Sequence, residues 1–440
     1  MMFRNRMLLV GVAALALSGC AVFKGHHRKT PVLGERIPIL AAESDVIADR
    51  TIAEVQVVLP PAEVNDSWAQ PGGSASKAGA NFALGASVSR AWTAQINGGS
   101  NRQRLAASPV IADGKLFAID VDGVVHAFTA DGGKLWTTAI AKGDKHSNSA
   151  RFGGGVSYDA GSVYATDGLG DVVALNATTG AELWRAKPGA PLRGAPTIAD
   201  NNVFVLSQDN QLYALGQADG KQSWTQSGSI ESQGVFGVAA PASSQGTVVA
   251  GFSSGELNAY RYENGRTLWQ DALSRSSVTT SVSSLADIDA DPVIDRGVVY
   301  ALGQGGRMVA LEITTGQRLW EQNFAGLSTP AVVGEWVFIV TDDARLVCLA
   351  RSTGKVRWIS QLRHYRVEKK HKDPITWYGP VVAGGRLVLT NSLGDIVFAS
   401  SDTGTVGQTI ETKTPFSLGP VVANSTLYTL DQKGRITAYR

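Results

Sequence analysis

The residues able to ligate a metal or act as a nucleophile are sparse in this chain and poorly arranged for either task. There are six histidines, His26, His27, His126, His146, His364 and His371, and two cysteines, Cys20 and Cys348. None of them falls into an HxxxH or CxxC spacing, so surface or packing roles are expected and no metal site is. Cys348 sits in the apolar run RLVCLA and reads as a buried strand thiol. No G-x-S-x-G elbow or phosphate-binding G-x-x-x-x-G-K-[ST] loop occurs, and GQGGR at 303–307 reads as a hairpin turn. These residues supply no catalytic group, and no cofactor is expected.

Cys20 is the exception. Arg4 and Arg6 precede an apolar run, Met7 to Leu17, too short to span a bilayer stably, and the run ends in Leu17-Ser18-Gly19-Cys20. That ending resembles a bacterial lipobox, where small residues admit the chain to a peptidase and the Cys thiol takes up lipid. Residues 1–19 are therefore expected to be a signal peptide and Cys20 the lipidation site. Ala21 after the cysteine favours sorting to the outer membrane. Removing residues 1–19 takes away Arg4 and Arg6 and no acid, which balances 40 Lys and Arg against 38 Asp and Glu. A neutral chain has no general pull toward nucleic acid, and no such partner is expected. With Cys20 lipidated, Cys348 has no partner for a disulfide.

The elements that would position any site come from one repeated unit. ALNATTGAELW, ending at Trp184, returns as ALGQADGKQSW, AYRYENGRTLW, ALEITTGQRLW and CLARSTGKVRW, ending at Trp224, Trp269, Trp320 and Trp358. The copy at 109–140 parses into four short β-runs, with turns at Asp113-Gly114, Asp122-Gly123 and Gly132-Gly133 that supply the positive φ tight hairpins need. Further copies begin near Val156, Pro196, Pro241, Pro292, Pro330, Pro380 and Pro420. This period is that of a four-stranded propeller blade. The last copy has three strands, and SRAWTAQI at 89–96 supplies the fourth. The expected fold is all-β, an eight-bladed β-propeller closed by pairing an N-terminal strand with the C-terminal blade; seven blades with one copy outside is the alternative. Trp92, Trp136, Trp184, Trp224, Trp269, Trp320 and Trp358 should each dock on the neighbouring blade, the indole N–H bonding its backbone. Gln408 stands where the Trp of its copy would be, so that interface should be the weakest. The expected domains are the signal peptide at 1–19, a lipidated tether at 20–67 and a monomeric propeller at 68–440.

The blade repeat resembles the propeller of quinone-cofactor dehydrogenases. Those enzymes hold the quinone over Ca²⁺, between a Trp and a disulfide of adjacent cysteines. This chain has no such pair, and its blades lack the long insertions that build a cofactor lid. A shared fold does not carry a shared site, so a dehydrogenase-like enzyme is only an alternative.

A lipobox, a short tether and Trp-docked blades without catalytic residues together resemble the BamB family, the outer-membrane lipoproteins of the β-barrel assembly machinery. The resemblance covers nearly the whole chain after residue 19. In that family, L-x-D-x-D ahead of a strand-opening Pro contacts the periplasmic POTRA domains of the barrel-forming subunit BamA, together with the preceding interblade connection. The matching residues are Leu285, Asp287 and Asp289 ahead of Pro292, with Val235 and Phe236 where some relatives place Leu and Arg. Turn chemistry is the other reading of the two acids, and core packing that of Phe236. The resemblance implies a non-catalytic scaffold on the periplasmic face of the outer membrane. Its partners would be BamA, the other lipoproteins of the complex and unfolded outer membrane proteins.

Most connections between blades are short, so the long ones are candidate binding elements: 141–154, 274–291 and 362–379. The last carries Arg363, Arg366, Lys369, Lys370 and Lys372, and reads as a solvated charged face or as a contact for lipid headgroups or an acidic partner. A cell-wall carbohydrate-binding propeller is the remaining alternative; it would need Tyr365, Trp377 and Tyr378 as a platform.

Overall fold

The computed structural model describes residues 46–100, 103–141, 153–230, 237–273 and 286–440. They form eight four-stranded antiparallel sheets, the blades, and one two-stranded hairpin. Blades 1 to 7 are each built from consecutive strands, opening at Val110–Ala112, Gly154–Asp159, Thr197–Ala199, Ala242–Ser244, Val293–Asp295, Ala331–Val333 and Trp377–Ala383. Blade 8 is Val421–Ala423, Thr426–Leu430 and Arg435–Tyr439, with Arg90–Gln95 as its outer strand. Trp92 pairs with Ala438, and Ser89 and Arg440 exchange backbone hydrogen bonds, so the ring closes as the sequence implies.

Each of the seven repeat tryptophans donates its indole N–H to the next blade, at 2.7–3.1 Å. The acceptors are the carbonyls of Ala130, Ala177, Gln217, Tyr262, Ile313, Arg351 and Ser401, for Trp92 through Trp358 in order. The rings lie on Gly132, Gly180, Gly220, Gly265, Gly316, Gly354 and Gly404 of that next blade. A Cβ on any of these glycines would meet indole carbons at 2.5–2.7 Å. All seven have φ between +68° and +83°. The repeat glycine therefore does two things: it turns its own hairpin and it leaves a flat seat for the tryptophan of the blade before. On the same blade, the third strand keeps a small residue opposite the Trp. Ala127, Ala174, Ala214, Ala259, Ala310, Cys348 and Ala438 hold this position. Cys348 is thus an alanine substitute beneath Trp358, and burial pushes its thiol pKa far up.

The interface expected to be weakest has its own construction. Arg90–Gln95 and Arg435–Tyr439 are distant in sequence, so no hairpin turn links them and no glycine seat exists for a blade 7 tryptophan. Gln408 needs no indole because there is nothing to receive it. An aromatic ring appears instead on the third strand of blade 7, where Phe398 lies under the guanidinium of Arg386 at 4.8 Å. Arg386 also donates to the carbonyls of Gly85 and Ala86, and the largest apolar cluster among the described residues runs from blade 7 through blade 8 to blade 1.

The tether expected through residue 67 ends sooner. From residue 46 the chain is bonded to the blades: Asp49 N–H donates to Val356 O, Val57 N–H to the Asp402 carboxylate, and Val57 is buried against blades 6 and 7. Residues 65–84 then visit the inner strand of every blade in ring order. Asn65 bonds Val422 and Asn424 of blade 8, Trp68 exchanges two bonds with Ile111 of blade 1, and Ala69 O accepts Tyr158 N–H of blade 2. The Gln70 amide bonds both backbone groups of Ile198 in blade 3 at 2.9 Å each. Ala75 O and Ser76 O accept from Ser243 of blade 4 and Ile294 of blade 5. Gly79 passes so near blade 6 that a Cβ would sit 3.3 Å from Val332 O, and Phe82 bonds Val382 and Gly384 of blade 7. The inner-strand groups facing the axis thereby gain partners that neighbouring strands cannot supply.

The double role of the repeat glycine is testable at two positions of matching backbone. Gly316 (φ +73°) faces Trp269, whereas Gly297 (φ +78°) faces open space. Gly297→Ala should lower unfolding free energy by about 1–2 kcal/mol, the left-handed penalty alone. Gly316→Ala should lose at least about 2 kcal/mol more through overpacking, measured as the shift of the urea midpoint.

Candidate functional site

The described interblade connections converge on one side of the ring. Residues 286–291 enter blade 5 as an extended segment in which successive side chains alternate. Ile288 and Ala290 are buried in the blade packing, and Asp287, Asp289 and Asp291 point the other way. The three carboxylates meet groups from three other elements. Arg193, in the connection from blade 2 to blade 3, places Nη2 2.7 Å from Asp287 Oδ1 and 3.8 Å from Asp289 Oδ1. Asp289 Oδ1 accepts the backbone N–H of Val238 at 2.6 Å, and Asp291 Oδ1 accepts that of Ala240 at 2.7 Å. Both donors lie in the connection from blade 3 to blade 4. Lys77, from the segment that circles the axis, donates to Thr197 Oγ1 at 3.2 Å and supplies positive charge near Asp291.

This cluster is almost dry. The side chains of Arg193, Asp287 and Asp289 are 1%, 2% and 15% exposed. Arg193 crosses directly over Gly237, where a Cβ would fall 1.8 Å from Nη2, and a Cβ on Gly194 would fall 2.0 Å from Val238 O. Two glycines therefore permit the ion pair to form. Burial and the adjacent negative charge of Asp287 raise the Asp289 carboxyl to about 6, against the pull of Arg193 and the Val238 N–H. Burial also raises Asp291 and lowers Lys77 to about 8. Beside these groups runs an axial cavity of about 390 Å³, lined among others by Lys77, Asp289, Asp291, Gln304 and Tyr378.

The expected lipidation and partner-binding residues divide accordingly. Cys20, Val235, Phe236 and Leu285 lie outside the described residues, as do most of 141–154 and 274–285. Asp287 and Asp289 are brought together, but their carboxylates face inward. The Asp287 carboxylate is held in a buried salt bridge to Arg193. Simple turn chemistry does not describe the two acids. Sequence reasoning missed Arg193, Gly237, Lys77 and Asp291. The available signals were the continuation of the alternation in ADIDAD and a lone arginine beside glycine in PLRGAP. The carbohydrate platform does not assemble: Trp377 is buried and donates its indole N–H to Arg363 O, and Tyr378 turns to the axis.

Removing one partner of the buried pair should be severe, since an unpaired charge remains. Arg193→Met alone is expected to cost about 3–5 kcal/mol, while Arg193→Met with Asp287→Leu should cost much less than the sum of the single changes. Urea unfolding of the four proteins of this cycle checks it. The raised Asp289 carboxyl binds its proton more tightly folded than unfolded. Its contribution to stability therefore falls as pH rises from about 4 to about 6. Asp289→Asn should remove that slope, so the stability of the parent relative to the variant declines across the window in chemical denaturation.

The family model described as outer membrane protein assembly factor BamB matches residues 121–360. The outer membrane protein assembly factor BamB of Yersinia pestis is 26% identical over 442 residues, covering 99% of each chain. That of Escherichia coli K12 is 29% identical over 351 residues, covering 79% of this chain and 87% of its own. Among solved structures, BamB from Moraxella catarrhalis superposes with a TM-score of 0.69 at 18% identity, covering 80% of this chain and all of its own. A quinohemoprotein alcohol dehydrogenase from Comamonas testosteroni follows at 0.66 and 13% identity, covering 86% of this chain and 81% of its own, a likeness of fold alone. On the sequence match, the chain belongs to the BamB family of outer membrane protein assembly factors.

Proposed function

We propose that the protein is a non-catalytic, lipid-anchored scaffold on the periplasmic face of the outer membrane, and that it binds the POTRA domains of the barrel-forming subunit BamA. The observation that carries this reading is the Arg193, Asp287 and Asp289 cluster, which ties the connections between blades 2 and 3, 3 and 4, and 4 and 5 into one unit. Segments 231–236 and 274–285 are continuous with the tied strands. In this reading the acids hold the docking surface in shape, and Val235, Phe236 and Leu285 supply its apolar contacts. A preorganised surface loses little conformational freedom on binding, and a lipid at Cys20 raises the local concentration of the pair, so a small interface suffices.

The test is recovery of BamA with the native protein from membranes solubilised in mild detergent. Asp287→Lys with Asp289→Lys should abolish recovery by breaking the cluster. Phe236→Glu changes no member of the cluster and should lower recovery at least about tenfold, the loss of one hot-spot residue. Unchanged recovery with both variants would sink the assignment of this rim.

A further inference from the structure

The connection between blades 6 and 7 has a different character from the rest of the rim. Tyr365–Val367 and Lys372–Pro374 pair as a short antiparallel hairpin, with a single 3-10 turn, Glu368–Lys370, at its tip. Its base is fixed by Trp377, buried and bonded to Arg363 O, and by Ile375, whose N–H donates to His364 O. Arg363 reaches back to the carbonyls of Tyr365 and Arg366. The Glu368 carboxylate accepts the backbone N–H groups of His364 and Tyr365, which hold its pKa below the usual range. The rings of His364, Tyr365 and His371 stack, with centroids 4.1 Å and 5.1 Å apart. The hairpin is thus an ordered projection.

It has no packing role to account for its composition. Residues 366–374 are all exposed. Residues 363–374 hold five bases, Arg363, Arg366, Lys369, Lys370 and Lys372, against two acids, Glu368 and Asp373, in a protein whose charges otherwise balance. Among the described residues Arg366, Lys369, Lys370 and Lys372 make no ion pair, and Glu368 is occupied with the backbone. Val367, 39% exposed, adds an apolar side chain among them. A cluster of unpaired cations around an exposed apolar residue fits a surface that is anionic outside and apolar beneath.

We propose that this hairpin docks on the anionic phospholipid headgroups of the membrane surface, Arg366, Lys369, Lys370 and Lys372 meeting phosphates and Val367 entering the interface. The proposal rests on the outer-membrane scaffold reading for the presence of that surface. Two placements support it. The connection between blades 6 and 7 lies across the ring from that between blades 2 and 3, so a partner on the clustered rim leaves the hairpin free. Asp49, near the start of the described chain, donates its N–H to Val356 O of blade 6, and the same blade leads into the hairpin.

The experiment is co-sedimentation of the full chain carrying Cys20→Ser, so that no acyl group contributes. The vesicles are phosphatidylethanolamine with phosphatidylglycerol, or phosphatidylcholine alone. The parent should bind the anionic vesicles, bind them less as salt rises, and leave the neutral ones unbound. Arg366→Glu with Lys369→Glu, Lys370→Glu and Lys372→Glu should weaken anionic binding at least about tenfold, with an unchanged thermal midpoint because these side chains are exposed and make no ion pair among the described residues. Equal binding by parent and variant, absence of parent binding, or equal binding to neutral vesicles overturns the proposal. So does a variant that keeps vesicle binding but loses BamA, which would make the hairpin a contact for an acidic protein surface. Loss of BamA by the Phe236→Glu protein alone bears on the scaffold reading and leaves vesicle binding unaffected.

Discussion

An indole lying on a neighbour's left-handed glycine is the contact on which the rest of this protein depends. Blades are thin sheets that cannot bury both faces alone, and each must be set against the next at a fixed angle. A flat ring on a position without a Cβ sets both distance and tilt, while the indole N–H ties the ring to the carbonyl two or three residues before that glycine. Repeating the joint seven times turns a chain of local hairpins into a rigid ring. The eighth joint differs because the ring is closed by strands from distant parts of the chain. There the aromatic moves to Phe398, and the segment from Trp68 to Leu84 completes the packing.

Rigidity at the blades is what lets the rim be shaped by electrostatics. Arg193 and the alternating carboxylates of 287–291 belong to connections that would be free to drift on a softer scaffold. Held at fixed spacing, they make a nearly dry cluster in which Arg193 pairs with Asp287 and backbone N–H groups meet Asp289 and Asp291. Such a cluster adds little net stability over an apolar core, yet it penalises any arrangement that separates its members. Its contribution is to the uniqueness of the rim's conformation.

Much of this was legible in the residues. The recurring glycine and tryptophan, Asp-Gly turns and period-two runs are local signals, so blade number, strand order and the closing strand could be read directly. Why Gln408 lacks a tryptophan could not, because the answer is the absence of a turn in a different blade. The inward direction of Asp287 was equally hidden: Leu285-Ala286-Asp287-Ile288-Asp289 states the alternation, but which face is buried depends on Arg193, far away in sequence. Residues 46–67 resemble a tether for a related reason. Irregular sequence reads as linker when its bonding partners, Val356 for Asp49 and Asp402 for Val57, lie hundreds of residues further along the chain.

The circuit made by residues 65–84 also bears on how the molecule is completed. This segment precedes the blades in the chain, yet its partners include Val422 of the last blade as well as Ile111 of the first. It therefore cannot take its final place until the whole ring has formed around it. The stretch made first is the last to be seated, and these contacts of long sequence separation form late. Once seated, it joins every blade to a common thread, so a single blade cannot swing outward without stripping that thread from its neighbours. Local opening is thereby coupled to loss of the whole, and the finished propeller is expected to unfold as one body.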